Sequence, residues 1–123
     1  MNTLRTALTL LAAAWLASAA EPAQAQEPAN VTQLIRDSQS AQAAGDTPAA
    51  ESLARAATDL DPAHPPAWRQ YGQVLLRATK PAEAAVAFQR AADLDANDAP
   101  AWRGLAQARW QAAQHQEIGR AHV

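Results

Sequence analysis

Two tryptophans recur in this chain at a fixed separation, each with the same neighbours. Trp68 and Trp102 lie 34 positions apart, each inside an Ala-Trp-Arg tripeptide. The same shift carries Pro66-Ala67 onto Pro100-Ala101 and Leu60-Asp61 onto Leu94-Asp95. Ala50 and Ala84 obey it too, as do Ala57 and Ala91, but alanine is so abundant that these matches add little. Repetition at this period implies a stack of similar supersecondary units. Each is too small to bury its own apolar face, and each needs its neighbours to do so.

Within one period the punctuation gives two helices. In the middle unit a first helix is expected over about Pro66 to Ala78, where Trp68, Tyr71, Val74, Leu75 and Leu76 form an apolar stripe. Thr79-Lys80-Pro81 interrupts it, and Pro81 suits the first turn of a second helix because its missing N–H is not needed there. That second helix, about Pro81 to Leu94, carries Ala84, Ala85, Phe88, Ala91 and Leu94, with Glu83 placed favourably against the helix dipole. Asp95-Ala96-Asn97-Asp98 makes the next turn, with Asp98 positioned as a cap. The preceding unit repeats the scheme, its second helix opening at Thr47-Pro48 and closing at Asp61-Pro62. Alanine-rich composition and scarce glycine favour helix throughout.

These residues resemble the tetratricopeptide repeat (TPR) family. The middle unit presents Trp68-x-x-Tyr71-Gly72-x-x-Leu75, then Ala84-x-x-x-Phe88 and Ala91, with Ala96 in the place of the usual proline. The first unit matches less closely, through Leu34, Asp37 and Ser38 and then Gly45, Ala50, Ala54, Ala57, Leu60 and Pro62. The third begins Trp102-x-x-Leu105-Ala106 and puts Arg109 where an aromatic is usual. The resemblance implies an all-α, antiparallel helix-pair solenoid of about two and a half repeats: residues 31–64, 65–98 and a first helix in 99–116. Small Gly72, Ala84 and Ala91 would let helices approach, while Trp68, Phe88 and Leu94 would fill the space between neighbours. Trp102, Leu105 and Trp110 would be left partly uncovered, since no second helix is legible in the third unit.

The two ends read differently. Residues 1–25 have the form of a secretory signal peptide: Arg5, an apolar run to Leu16 too short to span a bilayer, and an Ala23-Gln24-Ala25 cleavage site behind Pro22. Residues 26–30 would be a short linker. Export of a chain with no cysteine suits the bacterial periplasm, with no direct membrane insertion once the signal is cleaved. The closing run EIGRAHV, residues 117–123, can be written in codons as GAG ATC GGA AGA GCA CAC GTC. That string coincides with a common sequencing-library adapter, whose following bases, TGA, are a stop. The segment is therefore expected to be non-native, and Ile118, Arg120 and His122 are assigned no function.

The residues present exclude most chemistry. A formal net charge of −2 offers no field for nucleic acid. His64, His115 and His122 lack metal-ligand spacing, and Ser38, Ser40 and Ser52 lack a nucleophile motif. Asp59, Asp61, Asp93, Asp95 and Asp98 sit near helix ends, where turn and capping roles account for them. The expectation is a non-catalytic protein without cofactor or metal. In the family the first helices line a concave groove that receives a protein or peptide partner. Carried over, the groove would present Ile35, Gln39 and Gln42, then Arg69, Gln73, Leu76 and Arg77, then Arg103, Gln107 and Trp110. The arginines and amides suit acidic or backbone groups, and Trp110 could serve as an aromatic anchor. The asparagine and lysine pattern that clamps a terminal carboxylate in some chaperone-binding members is absent. The alternative is the N-terminal repeat region of a larger exported protein, either a polysaccharide-secretion protein with an outer-membrane barrel or an enzyme.

Overall fold

A computed structural model describes residues 30–121. The expected signal peptide, all of the linker but Asn30, and His122 and Val123 lie outside the described residues. Among the described residues there are five helices: α1 (Val31–Ala43), α2 (Thr47–Leu60), α3 (Pro65–Arg77), α4 (Pro81–Leu94) and α5 (Ala99–Ala121). They form the all-α helix-pair solenoid, and the boundaries have local chemical causes. Asn30, Asp46 and Asp98 accept hydrogen bonds from the backbone N–H of Gln33, Ala49 and Ala101 at 2.7, 3.2 and 3.2 Å. Each such cap is worth about 1 kcal/mol. Prolines occupy the first turns of α2, α3 and α4, where no N–H is missed. Asp61 and Asp95 accept from Ala63 and Asn97 two residues on, tightening the turns between units.

α1 and α3 end in the same left-handed cap. Gly45, at φ +81°, and Thr79, at φ +59°, are 34 positions apart. After α1, the Asp46 N–H bonds the Ala41 carbonyl and the Gly45 N–H bonds that of Gln42. After α3, Lys80 and Thr79 bond Leu75 and Leu76 in the same pattern. Only in the second case does a β-branched residue occupy the strained position.

Consecutive helices pack as antiparallel neighbours. In addition α1 packs on α3 and α3 on α5, whereas α2 and α4 do not pack on each other. First helices therefore form a continuous inner layer, with second helices attached outside it. Three apolar clusters fill the seams, one of them Ala91, Ala92 and Ala101 of α4 and α5 with Trp68 packed against it. Around α3, α4 and α5 lie Leu75, Ala84, Ala87, Phe88, Leu105 and Ala108. A smaller cluster of Ala50, Ala54 and Val74 lies between α2 and α3.

The two seams solve one packing problem in opposite ways. In the seam between units two and three, the Phe88 ring is only 1% exposed. A Cβ added to Gly72 would fall 2.8 Å from that ring, and one added to Gly104 would fall 2.3 Å from it. Both glycines are absent side chains that make room for the phenyl. One period earlier the corresponding residues are Ala54, Ser38 and Gln70. Here the large residue is lost and the two small ones are replaced by polar groups that fill the space. Ser38 Oγ donates to the Ala50 carbonyl at 2.8 Å, and Gln70 Nε2 donates to Ser38 Oγ at 3.2 Å and to Gln42 Oε1 at 3.1 Å. Ser38 is fully buried and Gln70 nearly so, yet no buried side-chain polar atom among the described residues lacks a partner. That satisfaction is what makes a polar seam tolerable.

Three expectations change. Leu94 does not fill the space between neighbours: it is 42% exposed, on the outer side of α4. Trp68, half-buried, does pack between neighbours as expected, against Ala91, Ala92 and Ala101 and against the Phe88 cluster, and it is a fastener as well. Its indole N–H donates to the Pro62 carbonyl at 2.7 Å, and Trp102 repeats this to Ala96 at 2.8 Å, each reaching six residues back across the inter-unit loop. The recurring tripeptide thus marks a loop closure; Arg90 further covers the Trp68 ring at 5.9 Å. Leu105, expected to be uncovered, is 2% exposed because it packs in the cluster with Phe88, whereas Trp102 and Trp110 remain exposed. Finally, α5 continues past residue 116, the expected end of its unit, to Ala121. Where α3 meets Thr79-Lys80-Pro81, α5 has Ala113-Gln114-His115, which contains no helix breaker. Residues 117–121 form its exposed end.

Candidate binding groove

The inner layer turns the 34-residue period into columns. Positions one period apart on α1, α3 and α5 share a register, so Gln39, Gln73 and Gln107 make up one column of the repeat and Gln42, Leu76 and Trp110 the next. A concavity of about 220 Å³ crosses all three helices and is lined by Gln42, Gln73, Leu76, Arg77 and Gln107. A second of about 150 Å³ adjoins it between α3 and α5, sharing Gln73, Leu76 and Gln107 and adding Arg103. Gln73, Arg77, Arg103 and Gln107 are thus brought together, as is Gln42. Gln39 is exposed in the same column without lining either concavity, and Ile35 is half-buried. Trp110 stands at the edge of the layer, 64% exposed.

Arg69 is placed elsewhere. Its Nη1 donates to both carboxylate oxygens of Asp98 at 2.9 Å. Asp98 is nearly buried and also caps α5, so the guanidinium neutralises a carboxylate that the α3–α5 seam encloses. The sequence shows Asp98 as a cap but gives no signal that it also holds an arginine 29 positions earlier. Arg77 and Arg103 form no ion pair among the described residues. The groove walls therefore carry uncompensated positive charge beside neutral amides.

Titratable groups with shifted affinity lie away from the groove. Burial pushes the Tyr71 hydroxyl above its ordinary value, against the opposing pull of Arg55. A hydrogen bond and charge from Glu51, 2.8 Å away, raise the Lys80 ammonium. Among the described residues no three His, Asp or Glu side chains converge, and no helix is long and apolar enough to cross a membrane.

Stacked helix pairs with an inner layer of first helices, joined at a fixed sequence period, define a solenoid repeat protein whose usable surface is its concave face. A sequence model of the tetratricopeptide repeat matches residues 41–108, more than half of the chain. The chain belongs to the tetratricopeptide repeat family, whose repeats serve as scaffolds for protein interaction. No curated protein matches it.

Proposed function

We propose that the chain is a non-catalytic periplasmic scaffold that holds a peptide segment of a protein partner in the groove of α1, α3 and α5. The observation carrying this reading is the concavity that spans all three first helices and collects Gln42, Gln73, Leu76, Arg77 and Gln107. Carboxamides and guanidiniums hold and orient a ligand by hydrogen bonds and neither gain nor lose protons near neutral pH. The periplasmic assignment rests on the signal-like residues 1–25 and the absence of cysteine. A displayed library of random peptides, selected against the chain, tests the groove. Selected peptides should shift the side-chain amide resonances of Gln73 and Gln107. Shifts confined to α2 and α4, or a library that yields no binder, would refute the reading.

A further inference from the structure

The glutamine column limits what the groove can hold. A carboxamide offers both an acceptor and donors, so it can pair with the N–H and C=O of a single residue whatever that residue's side chain. Gln73 and Gln107 make that offer from two successive helices inside the groove, and Gln39 holds the same register position on α1. Packed helices lie about 8–10 Å apart. A polyproline II segment has three residues per turn, each rising about 3.1 Å, and so presents an equivalent backbone group every 9 Å or so. A β-strand presents equivalent groups about 7 Å apart, out of step with the helices. The polyproline II backbone also has no internal hydrogen bonds, so its amides are free to pair.

The neighbouring side chains supply the rest of the selection. Leu76 lines the groove beside them and Trp110, exposed, holds the same register position on α5, so proline rings have apolar surface on which to lie. Arg77 and Arg103 flank the glutamines without ion-pair partners among the described residues, while Arg69, away from the groove, is held by Asp98. Charge complementarity therefore favours carboxylates. We infer that the groove takes an acidic, proline-containing segment in the polyproline II conformation, its backbone held by the glutamine column and its carboxylates by Arg77 and Arg103. This rests on the groove reading above and names the class of partner that it serves.

Fluorescence anisotropy with three labelled dodecapeptides tests it: repeating Glu-Pro-Pro, repeating Lys-Pro-Pro, and the helix-forming repeat Glu-Ala-Ala. The first should bind at least about tenfold more tightly than either of the others. Gln73→Ala combined with Gln107→Ala should weaken it about tenfold or more, and Arg77→Gln with Arg103→Gln should do the same while flattening its salt dependence. These side chains are exposed, so circular dichroism should show the variants folded as the parent. Equal binding of the lysine or the helical peptide would overturn the inference, as would tight Glu-Pro-Pro binding that is indifferent to all four substitutions. If library-selected peptides still shift Gln73 and Gln107 while Glu-Pro-Pro has no advantage, the partner class fails and the groove reading stands. If neither occurs, both fail.

Discussion

Exchanging the contents of one seam for those of the other gives a sharp test of how the units are matched. Phe88→Ala alone empties a site enclosed by Leu75, Ala84, Ala87, Leu105 and Ala108 and should cost about 3–5 kcal/mol. Gly104→Gln alone drives a side chain into a ring that already lies 2.3 Å from where its Cβ would sit. Overpacking of that kind costs about 1–3 kcal/mol or more, and Gly72→Ser meets the same ring at 2.8 Å. Added together, the three losses approach the whole stability of a small domain, about 5–15 kcal/mol. The triple variant, however, reproduces the arrangement of Ala54, Ser38 and Gln70. Its serine hydroxyl would face the Ala84 carbonyl as Ser38 faces that of Ala50, and its glutamine would occupy the volume vacated by the ring. It should be no less stable than Phe88→Ala alone, the two overpacking losses of together about 2–6 kcal/mol being cancelled by coupling between sites that share one space. Urea unfolding followed by far-ultraviolet circular dichroism measures all four variants. A triple-variant loss equal to the sum of the single losses would show that the two seams are not interchangeable solutions.

Thr79→Gly should raise stability by about 0.5–1 kcal/mol. It relieves a left-handed conformation that costs roughly 1–2 kcal/mol and returns roughly 0.5–1 kcal/mol through glycine's freedom in the unfolded chain; a lowered urea midpoint would refute this. Asp98→Ala removes both the α5 cap and the partner of Arg69, for a loss of about 2 kcal/mol, while Asp98→Asn keeps the acceptor and should lose about half as much. Stability should decline in alkali. Tyr71 and Lys80 both bind their protons more tightly when folded, so their contributions are complete below the unfolded values of 10.0 and 10.5 and are lost as pH rises through the higher folded ones. Urea midpoints titrated upward from neutral should fall less steeply for Tyr71→Phe, and an unchanged slope would refute the assignment to that hydroxyl.

The sequence displays those features that depend on local chemistry or on the period. Pro48, Pro66 and Pro81 mark helix starts, Asp46 and Asp98 mark caps, and the recurrence of Trp68 at Trp102 marks the unit length. Gln73, Arg77, Arg103 and Gln107, which the family resemblance puts on the groove, line the two concavities. The features that it conceals are relations across a seam. Gly104 looks unremarkable beside Gly72 in one dimension, because its partner is a ring 16 positions earlier on another helix. Gln70 looks like a surface residue until Ser38 and Gln42 come to meet it. Arg69 resembles Arg103 in its tripeptide, yet only Arg69 has a buried carboxylate opposite, and that distinction arises from the stacking of α3 on α5.

α2 and α4 do not touch each other, yet each is seated between two first helices, α2 between α1 and α3 and α4 between α3 and α5, so each second helix is the joint between its own unit and the next. Sliding one unit along the next is obstructed, since the phenyl of Phe88 is wedged between two backbones and the serine–glutamine latch holds the other joint. Swinging an outer helix away is obstructed as well, because α4 would have to withdraw the same phenyl from between Gly72 and Gly104. The outer helices thus act as keystones, and the concave face keeps its rows of side chains in step because the convex side is locked.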